Sequence, residues 1–156
     1  MTVRFACEKD IPQMNSLLYQ VERVHQQGRP DLFKEGAKKY TDNELKAMLK
    51  DKTKPIFAAV DENDVMKGYA FCVFQEHKGD NDLTDIKTLY IDDLCVDENC
   101  RGQHIGSVLF EAVKKFAKEQ GCYNVTLNVW ECNPSARKFY EKAGLKPYKT
   151  GMEVIL

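Results

Sequence analysis

Residues 90–107, YIDDLCVDENCRGQHIGS, are the most informative stretch of the chain. An apolar run with β-branched residues ends in a short polar loop, which leads directly into a helical pattern that begins at Ile105. This order predicts a strand, a tight loop and a helix N-terminus, where several backbone N–H groups point away from the helix. Such a helix start binds anions, phosphate above all. Asp92 and Asp93 lie on the predicted strand, close enough for acid–base chemistry beside the anion.

The composition of the chain argues against several other kinds of protein. With 156 residues, 43% of them hydrophobic, it is large enough for one domain with an apolar core, and we expect a single domain over residues 1–156. A net charge of −1 gives no reason to expect nucleic acid as a partner. The six cysteines form no C-x-x-C pair, so neither a metal site nor a disulfide framework is predicted. No signal or membrane-spanning segment is apparent, and we expect a cytoplasmic protein that does not bind membranes.

The first half of the chain predicts a short opening strand, two helices and a hairpin. Asp10 is placed to cap the first helix, which has apolar residues at helical spacing. Thr41 and Glu44 form a capping box for the second helix. Two segments rich in β-branched and aromatic residues, 56–60 and 65–75, flank a polar turn, which predicts an antiparallel hairpin.

In the second half, helical and strand patterns alternate. Apolar residues recur on one helical stripe from residue 105 to residue 117, and Gly121 is placed to end that helix. Alternation in residues 125–129 predicts a strand, and Asn133 caps a last helix that starts with a proline. Alternation in residues 152–156 predicts a closing strand. Strands and helices that alternate in this way indicate one α/β domain.

Two motifs of the second half occur in a fixed order. The loop of residues 101–106 reads RGQHIG, and residues 128–148 read NVWECNPSARKFYEKAGLKPY. The first resembles the Arg/Gln-x-x-Gly-x-Gly/Ala motif of the GNAT superfamily of acyl-CoA-dependent N-acetyltransferases, with His104 in place of the first glycine. The second is similar to the Asn-x-x-Ala-x-x-x-Tyr helix of the same family and its Gly-Leu ending. Together the two motifs cover about two-fifths of the chain, in the order and spacing of the family.

The resemblance implies a fold, a co-substrate and a reaction. The fold is a GNAT-like α/β fold with a mixed sheet of about six to seven strands, mostly antiparallel with a parallel splayed central pair, flanked by about four helices. The reaction moves an acetyl group from acetyl-CoA to a primary amine by direct attack in a ternary complex, with no metal. The cofactor-binding residues implied by the resemblance are Leu94, Cys95, Val96, Arg101, Gly102, Gln103, His104, Ile105, Gly106, Ser107, Asn133, Ala136 and Tyr140.

Coenzyme A carries a pyrophosphate, which suits the N–H groups and the positive dipole end at the start of the Ile105 helix. We expect Gly102 and Gly106 to let the backbone come close to the cofactor. Histidine adopts a positive φ more readily than most residues, so His104 is compatible with the loop. Whether its side chain donates to the pyrophosphate or faces solvent stays open.

Acetyl transfer needs a base for the amine, a donor for the oxyanion and a proton for the departing thiolate. The resemblance assigns the proton to Tyr140 and the oxyanion donor to a backbone N–H in residues 94–96. The strand is similar to that of polyamine acetyltransferases, which makes Asp92 the base, acting through a water molecule. Strand alternation places Asp93 on the opposite face unless a bulge intervenes, so the choice between the two aspartates stays open.

The acceptor is predicted only as a class. An acidic patch that includes Asp97 and Glu98 favours a small cationic amine. A protein N-terminal or lysine amine is the alternative acceptor, and a non-catalytic acyl-CoA-binding module is the alternative function. Residues 25–36 either shape the acceptor pocket or form a plain connection. An acetyl-cysteine at Cys95 or Cys132 is disfavoured because no histidine lies near either in sequence, and a homodimer through the C-terminal strands stays open.

Overall fold

The computed structural model describes all 156 residues and contains one five-stranded sheet covered by helices on both faces. The elements in chain order are β1 Thr2–Phe5, α1 Ile11–Gly28, α2 Asp42–Lys50, β2 Ile56–Val60, β3 Met66–Glu76, β4 Lys87–Val96, α3 Ile105–Glu119, β5 Asn124–Leu127 and α4 Pro134–Lys142. Single 3-10 turns, Glu8–Asp10 and Glu98–Cys100, precede α1 and α3. None of the helices combines the length and the apolar character needed to cross a membrane.

The strands follow one another in chain order across the sheet. β1 to β4 are antiparallel, and the predicted hairpin is formed by β2 and β3. β5 lies parallel to β4, as expected for two strands joined by a helix, here α3. The predicted mixed sheet, mostly antiparallel with one parallel pair, and the four helices are confirmed. The sheet has five strands rather than six to seven, and the parallel pair β4–β5 lies at its edge rather than at its centre.

The predicted closing strand at residues 152–156 is wrong. No strand follows α4, and residues 146–156 make no backbone hydrogen bond. The side chains of Met152, Val154 and Leu156 are 93%, 80% and 113% exposed. Alternating apolar residues favour an extended backbone, but a strand also needs a neighbour for its N–H and C=O groups, and this segment has none in its own chain.

Alternation along the strands divides the core into two layers. On the front of the sheet, α1 and α2 cover Tyr69, Phe71 and Cys95. On the back, α3 covers Ala70, Leu89 and their neighbours. Burial of both strand faces explains why the central strands read as nearly continuous apolar runs.

The capping signals are confirmed at two helices and wrong at one. The Thr41 hydroxyl accepts from the backbone N–H of Glu44 at 3.2 Å, and the Asn133 side chain accepts from Ala136 at 3.2 Å. Asp10, by contrast, does not cap α1 through its side chain. Its carboxylate is 2% exposed and accepts from both guanidinium ends of Arg4, at 2.8 and 2.9 Å. The buried charge is therefore satisfied by a strand residue, and it fixes β1 to the start of α1.

We predict that Asp10→Asn lowers the free energy of unfolding by about 3 kcal/mol, because it leaves the Arg4 guanidinium without its buried counter-charge. Asp64→Asn is the matched control, since Asp64 also pairs with Arg4 but its side chain is 43% exposed. Urea unfolding followed by circular dichroism compares the two variants. Equal losses in both would contradict a special role for the buried carboxylate.

Candidate active site

Strand β4 carries the two aspartates at a bulge. In the ladder with β3, Phe71 pairs with Asp93 and Cys72 pairs with Ile91, so Asp92 has no partner on β3. An extra residue of this kind interrupts the alternation of side chains between the two faces. The sequence alone could not decide whether β4 contains a bulge. The structure has one at Asp92, directly before Asp93.

Both aspartates face the front of the sheet. The Tyr40 hydroxyl donates to Asp92, and the Tyr69 hydroxyl donates to Asp93 at 2.7 Å. The rings of both tyrosines pack on Phe71, with centroids 5.6 and 4.6 Å from its ring. The two carboxylates therefore lie side by side under α1 and α2, where their negative charges repel each other and together attract a cation.

The β4–β5 pair opens at the same point. The parallel ladder ends at Ile91, which pairs with Leu127, immediately before the bulge. Asp92 is unpaired, and residues 93–96 of β4 pair with β3 only. Their ladder groups on the β5 side consequently lack a strand partner, which is the geometry expected for the splayed pair and for a ligand chain that runs along residues 94–96.

The loop before α3 presents a row of free backbone donors. No backbone N–H of residues 102–107, here called the N–H cradle, donates to a protein group. Gly102 has φ of 80° and His104 has φ of 61°, so a residue with positive φ lies on each side of Gln103, a backbone irregularity of the kind that forms anion-binding concavities. Arg101 beside the cradle is exposed and makes no ion pair. The cradle is suited to a phosphate group.

The two glycines of the loop serve different purposes. A Cβ on Gly102 would have no neighbour within 4 Å, so glycine is required there for its positive φ and leaves open space above the cradle. A Cβ on Gly106 would lie 3.1 Å from the Phe139 ring. Gly106 therefore permits the close approach of α3 and α4, a packing role that the sequence did not indicate.

That close approach positions Tyr140, the residue after Phe139 on α4. The Tyr140 ring packs on Phe139 with a centroid distance of 5.2 Å. Its hydroxyl makes no hydrogen bond, and no buried side-chain polar atom lacks a partner, so this hydroxyl is open to solvent. Burial of the ring, followed by the nearby charge of Asp93, raises the pKa of Tyr140 well above its usual value. The group is therefore a protonated donor at neutral pH.

The two aspartates have different surroundings. Burial raises the pKa of Asp93 to about 6, against the opposing effect of the Tyr69 hydrogen bond. Asp93 still keeps some exposed surface. A group that exchanges protons with a substrate in the cleft needs such exposure. Asp92 is held by Tyr40 and by an ion pair with Lys39 at 2.9 Å. The Asp92 carboxylate thus ties residues 39–40, which precede α2, to the edge of β4.

Three residues of this network, Lys39, Tyr40 and Tyr69, were not identified from the sequence. Tyr40 directly precedes the capping box of α2, and Tyr69 lies in an apolar strand. Neither position carries a local signal of a carboxylate partner. The partners lie 52 and 24 residues away along the chain.

Residues 25–36 do more than connect two elements. The Phe33 ring lies 5.1 Å from His25 and 5.1 Å from Trp130, measured between ring centroids. Close by, a Cβ on Gly28 would lie 2.6 Å from the side chain of Cys132. The end of α1 and the loop after it therefore contact the segment that follows β5, across the opening of the splayed pair. We call the three rings the aromatic wall.

Neither Cys95 nor Cys132, the two cysteines considered in the sequence analysis, has the surroundings of a nucleophile. Burial raises the pKa of Cys95 to about 12, so its thiol stays protonated. Its Sγ faces the Leu17 carbonyl at 3.6 Å, in the core. Cys132 packs on Gly28. Backbone groups of residues 94–96, rather than the Cys95 thiol, are therefore available to a ligand.

Several known proteins are similar to this chain. It is 36% identical over 58 residues to a probable glucosamine 6-phosphate N-acetyltransferase of Oryza sativa subsp. japonica and 36% identical over 59 residues to a glucosamine 6-phosphate N-acetyltransferase of Arabidopsis thaliana. The matches cover 37% and 38% of this chain, and 33% and 38% of the two relatives. The chain thus spans little more than a third of the curated relatives that it matches.

Solved structures match over nearly the whole chain. A mutant of the BH1408 protein from Bacillus halodurans is 29% identical and superposes with a TM-score of 0.95, covering 100% of this chain and 99% of that one. The aminoglycoside acetyltransferase meta-AAC0020 from a soil metagenomic sample, in complex with sisomicin, is 21% identical with a TM-score of 0.75, over 99% of this chain and 94% of that one, and at this identity it supports the fold alone. A sequence model described as the acetyltransferase (GNAT) family matches residues 18–145. The chain therefore belongs to the GNAT acetyltransferase family.

Proposed function

We propose that this protein transfers the acetyl group of acetyl-CoA to the primary amine of a small cationic molecule, by direct attack in a ternary complex. The observation that carries the proposal is the combination of a free N–H cradle, an open β4 edge and an unbonded Tyr140 hydroxyl on the helix packed against α3. Each of these groups matches one part of acetyl-CoA. The cradle suits the pyrophosphate, the open β4 edge suits pantetheine, and the Tyr140 hydroxyl suits the departing thiolate.

The cofactor would lie along the residues predicted from the sequence to bind it. Residues 102–107 would bind the pyrophosphate through backbone N–H groups, with Arg101 adding a positive charge. Residues 94–96 would pair through their backbone with the amides of pantetheine and polarise the thioester oxygen. Asn133 caps α4 through its side chain, so its role, with Ala136, would be to position the Tyr140 helix beside the thioester.

The proton movements would involve the front-face carboxylates and Tyr140. The neutral amine attacks the thioester carbon, the C–S bond breaks, and Tyr140 gives its proton to the departing sulfur. One of the two adjacent aspartates takes the proton of the amine, directly or through water. The sequence favours Asp92, whereas the surroundings favour Asp93, because its pKa of about 6 suits a base near neutral pH and Asp92 is already paired with Lys39.

The acceptor would approach from the side of the two aspartates and the aromatic wall. Adjacent carboxylates attract a cation, and aromatic faces also stabilise ammonium groups. The names of the curated relatives indicate acetylation of glucosamine 6-phosphate, which carries a primary amine on a small molecule. These observations favour a small molecule over a protein amine. A non-catalytic acyl-CoA-binding module would release no coenzyme A with any acceptor, so a thiol-release assay against polyamines, amino sugars, aminoglycosides and peptides tests the proposal.

We predict that Tyr140→Phe lowers kcat for thiol release by about 100-fold or more, because the departing thiolate loses its proton donor. Tyr123→Phe is the control, since Tyr123 is 76% exposed and makes no side-chain hydrogen bond. Both variants are assayed at a saturating concentration of an acceptor from the panel, and both must keep the melting temperature of the wild type. Wild-type kcat in Tyr140→Phe would refute the assignment of the acid.

The pH dependence separates the two aspartates. Only the neutral amine attacks, so log(kcat/KM) rises with a slope of about 1 below the pKa of the amine, about 10 for a lysine-like amine. A carboxylate base is active only when ionised, so activity falls further as pH drops below its pKa. We therefore predict a second unit of slope below about pH 6, the pKa of Asp93. Asp93→Asn removes this break and lowers the rate, whereas Asp92→Asn keeps the break. The reverse pattern would make Asp92 the base.

Two glycines with the same backbone conformation test the cradle. Gly102 and Gly121 have φ of 80° and 71°, and a Cβ added at either position would have no neighbour within 4 Å. Alanine at either position costs about 1 kcal/mol of folding free energy. We predict that only Gly102→Ala weakens coenzyme A binding, by about 10-fold, because it disturbs the N–H groups that face the pyrophosphate. Calorimetric titration measures Kd, and an equal effect of Gly121→Ala would contradict the location of the site.

A further inference from the structure

The ammonium group of Lys39 lies in the acidic part of the cleft. Its Nζ is 2.9 Å from a carboxylate oxygen of Asp92 and donates to the backbone carbonyl of the same residue at 3.3 Å. No other lysine contacts either of the two cleft aspartates. The Lys39 side chain is 41% exposed, so this primary amine is accessible to a molecule that enters the cleft.

The charge of Lys39 acts on both sides of the cleft. Burial raises the pKa of Asp93 on β4 and of Glu22 on α1, and the positive charge of Lys39 opposes the rise in both cases. The ammonium group therefore lies between α1 and β4. This is the place where the proposed function puts the amine of an external acceptor.

The amine is also close to the proposed position of the thioester. Asp92 precedes Leu94 by two residues, and a strand rises about 3.3 Å per residue, so the two backbone positions are about 7 Å apart. Leu94 begins the open β4 edge along which pantetheine would lie. The lysine stem has four rotatable carbons, and residues 29–41, which carry it, form neither a helix nor a strand. A movement of the side chain alone is therefore enough to bring Nζ to the thioester carbon.

We propose that Lys39 is itself an acetyl acceptor, and that the protein transfers the acetyl group of bound acetyl-CoA to Lys39 of the same chain when no external amine is present. This inference rests on the proposed function, because it uses the same co-substrate and the same cleft.

The transfer needs no further reactant. Nζ gives one proton to the Asp92 carboxylate and then attacks the thioester carbon, so that a C–N bond forms and the C–S bond breaks. A second proton of Nζ passes to the departing sulfur, which leaves as the thiol of coenzyme A. Asp92 releases the first proton to solvent. The products are an acetylated Lys39, coenzyme A and one proton.

Lys52 provides a matched control. It lies between α2 and β2, it is exposed, and it makes no ion pair. Acetylation by acetyl-CoA from solution should therefore reach Lys52 at least as easily as Lys39, whose ammonium is held by Asp92. Only transfer within the cleft favours Lys39.

The test incubates the full chain with acetyl-CoA that carries an isotopic label in its acetyl group, without added amine. Peptide mass spectrometry follows the label at each lysine with time. Lys39 should be labelled at least about 10-fold faster than Lys52, because the bound thioester is held beside its amine. Excess coenzyme A should slow the labelling of Lys39, and the rate constant should not depend on protein concentration. Lys39→Arg, which keeps the charge beside Asp92, should lose this label, whereas Lys52→Arg should keep it.

Four results would overturn the inference and leave the proposed function in place, provided that the protein releases thiol with an amine of the panel. They are equal labelling of Lys39 and Lys52, labelling that coenzyme A does not slow, a rate constant that rises with protein concentration, and no label at Lys39. Absence of both the label and thiol release with every amine would overturn the inference and the proposed function together.

Discussion

The bulge at Asp92 is the constraint on which the rest of the structure depends. One extra residue in β4 ends the regular ladder with β3 at the point where the parallel ladder with β5 also stops. Without it, alternation would turn Asp93 toward α3, away from Tyr69. With it, one strand supplies two adjacent carboxylates on its front face and an unpaired backbone edge toward β5. A single local irregularity thus provides both the charged groups and the opening of the cleft.

Helix packing completes the other side of the cleft. Gly106 and Phe139 bring α3 and α4 together, so the helix that carries the N–H cradle also determines where the Tyr140 hydroxyl lies. The cradle and the hydroxyl are therefore linked through one contact between α3 and α4. Lys39 and Tyr40 act in a comparable way on the front face, because both hold the segment before α2 to Asp92. The site is assembled from segments that are distant in sequence but in direct contact.

The sequence predicts the parts of this structure that local chemistry determines. The capping box at Thr41, the cap at Asn133, the β2–β3 hairpin and the loop at residues 101–106 follow from neighbouring residues, and the structure contains all of them. The prediction for Asp10 is wrong because its partner, Arg4, lies on β1 rather than in the helix. Tyr40, Tyr69 and the packing role of Gly106 depend on contacts between distant segments. The predicted closing strand is wrong for the same reason, since alternation favours an extended segment but does not supply a neighbouring strand.

The contact between Gly28 and Cys132 has a mechanical consequence. Splayed strands are free to spread further apart, since no ladder holds them. Here the end of α1 meets the segment after β5 so closely that even a methyl group on residue 28 would displace Cys132. The contact joins the two sides of the open end, so the side-chain volume at Gly28 and Cys132 limits how closely these two segments approach each other. The width of the cleft consequently depends on side-chain size at this contact as well as on the sheet that forms its floor.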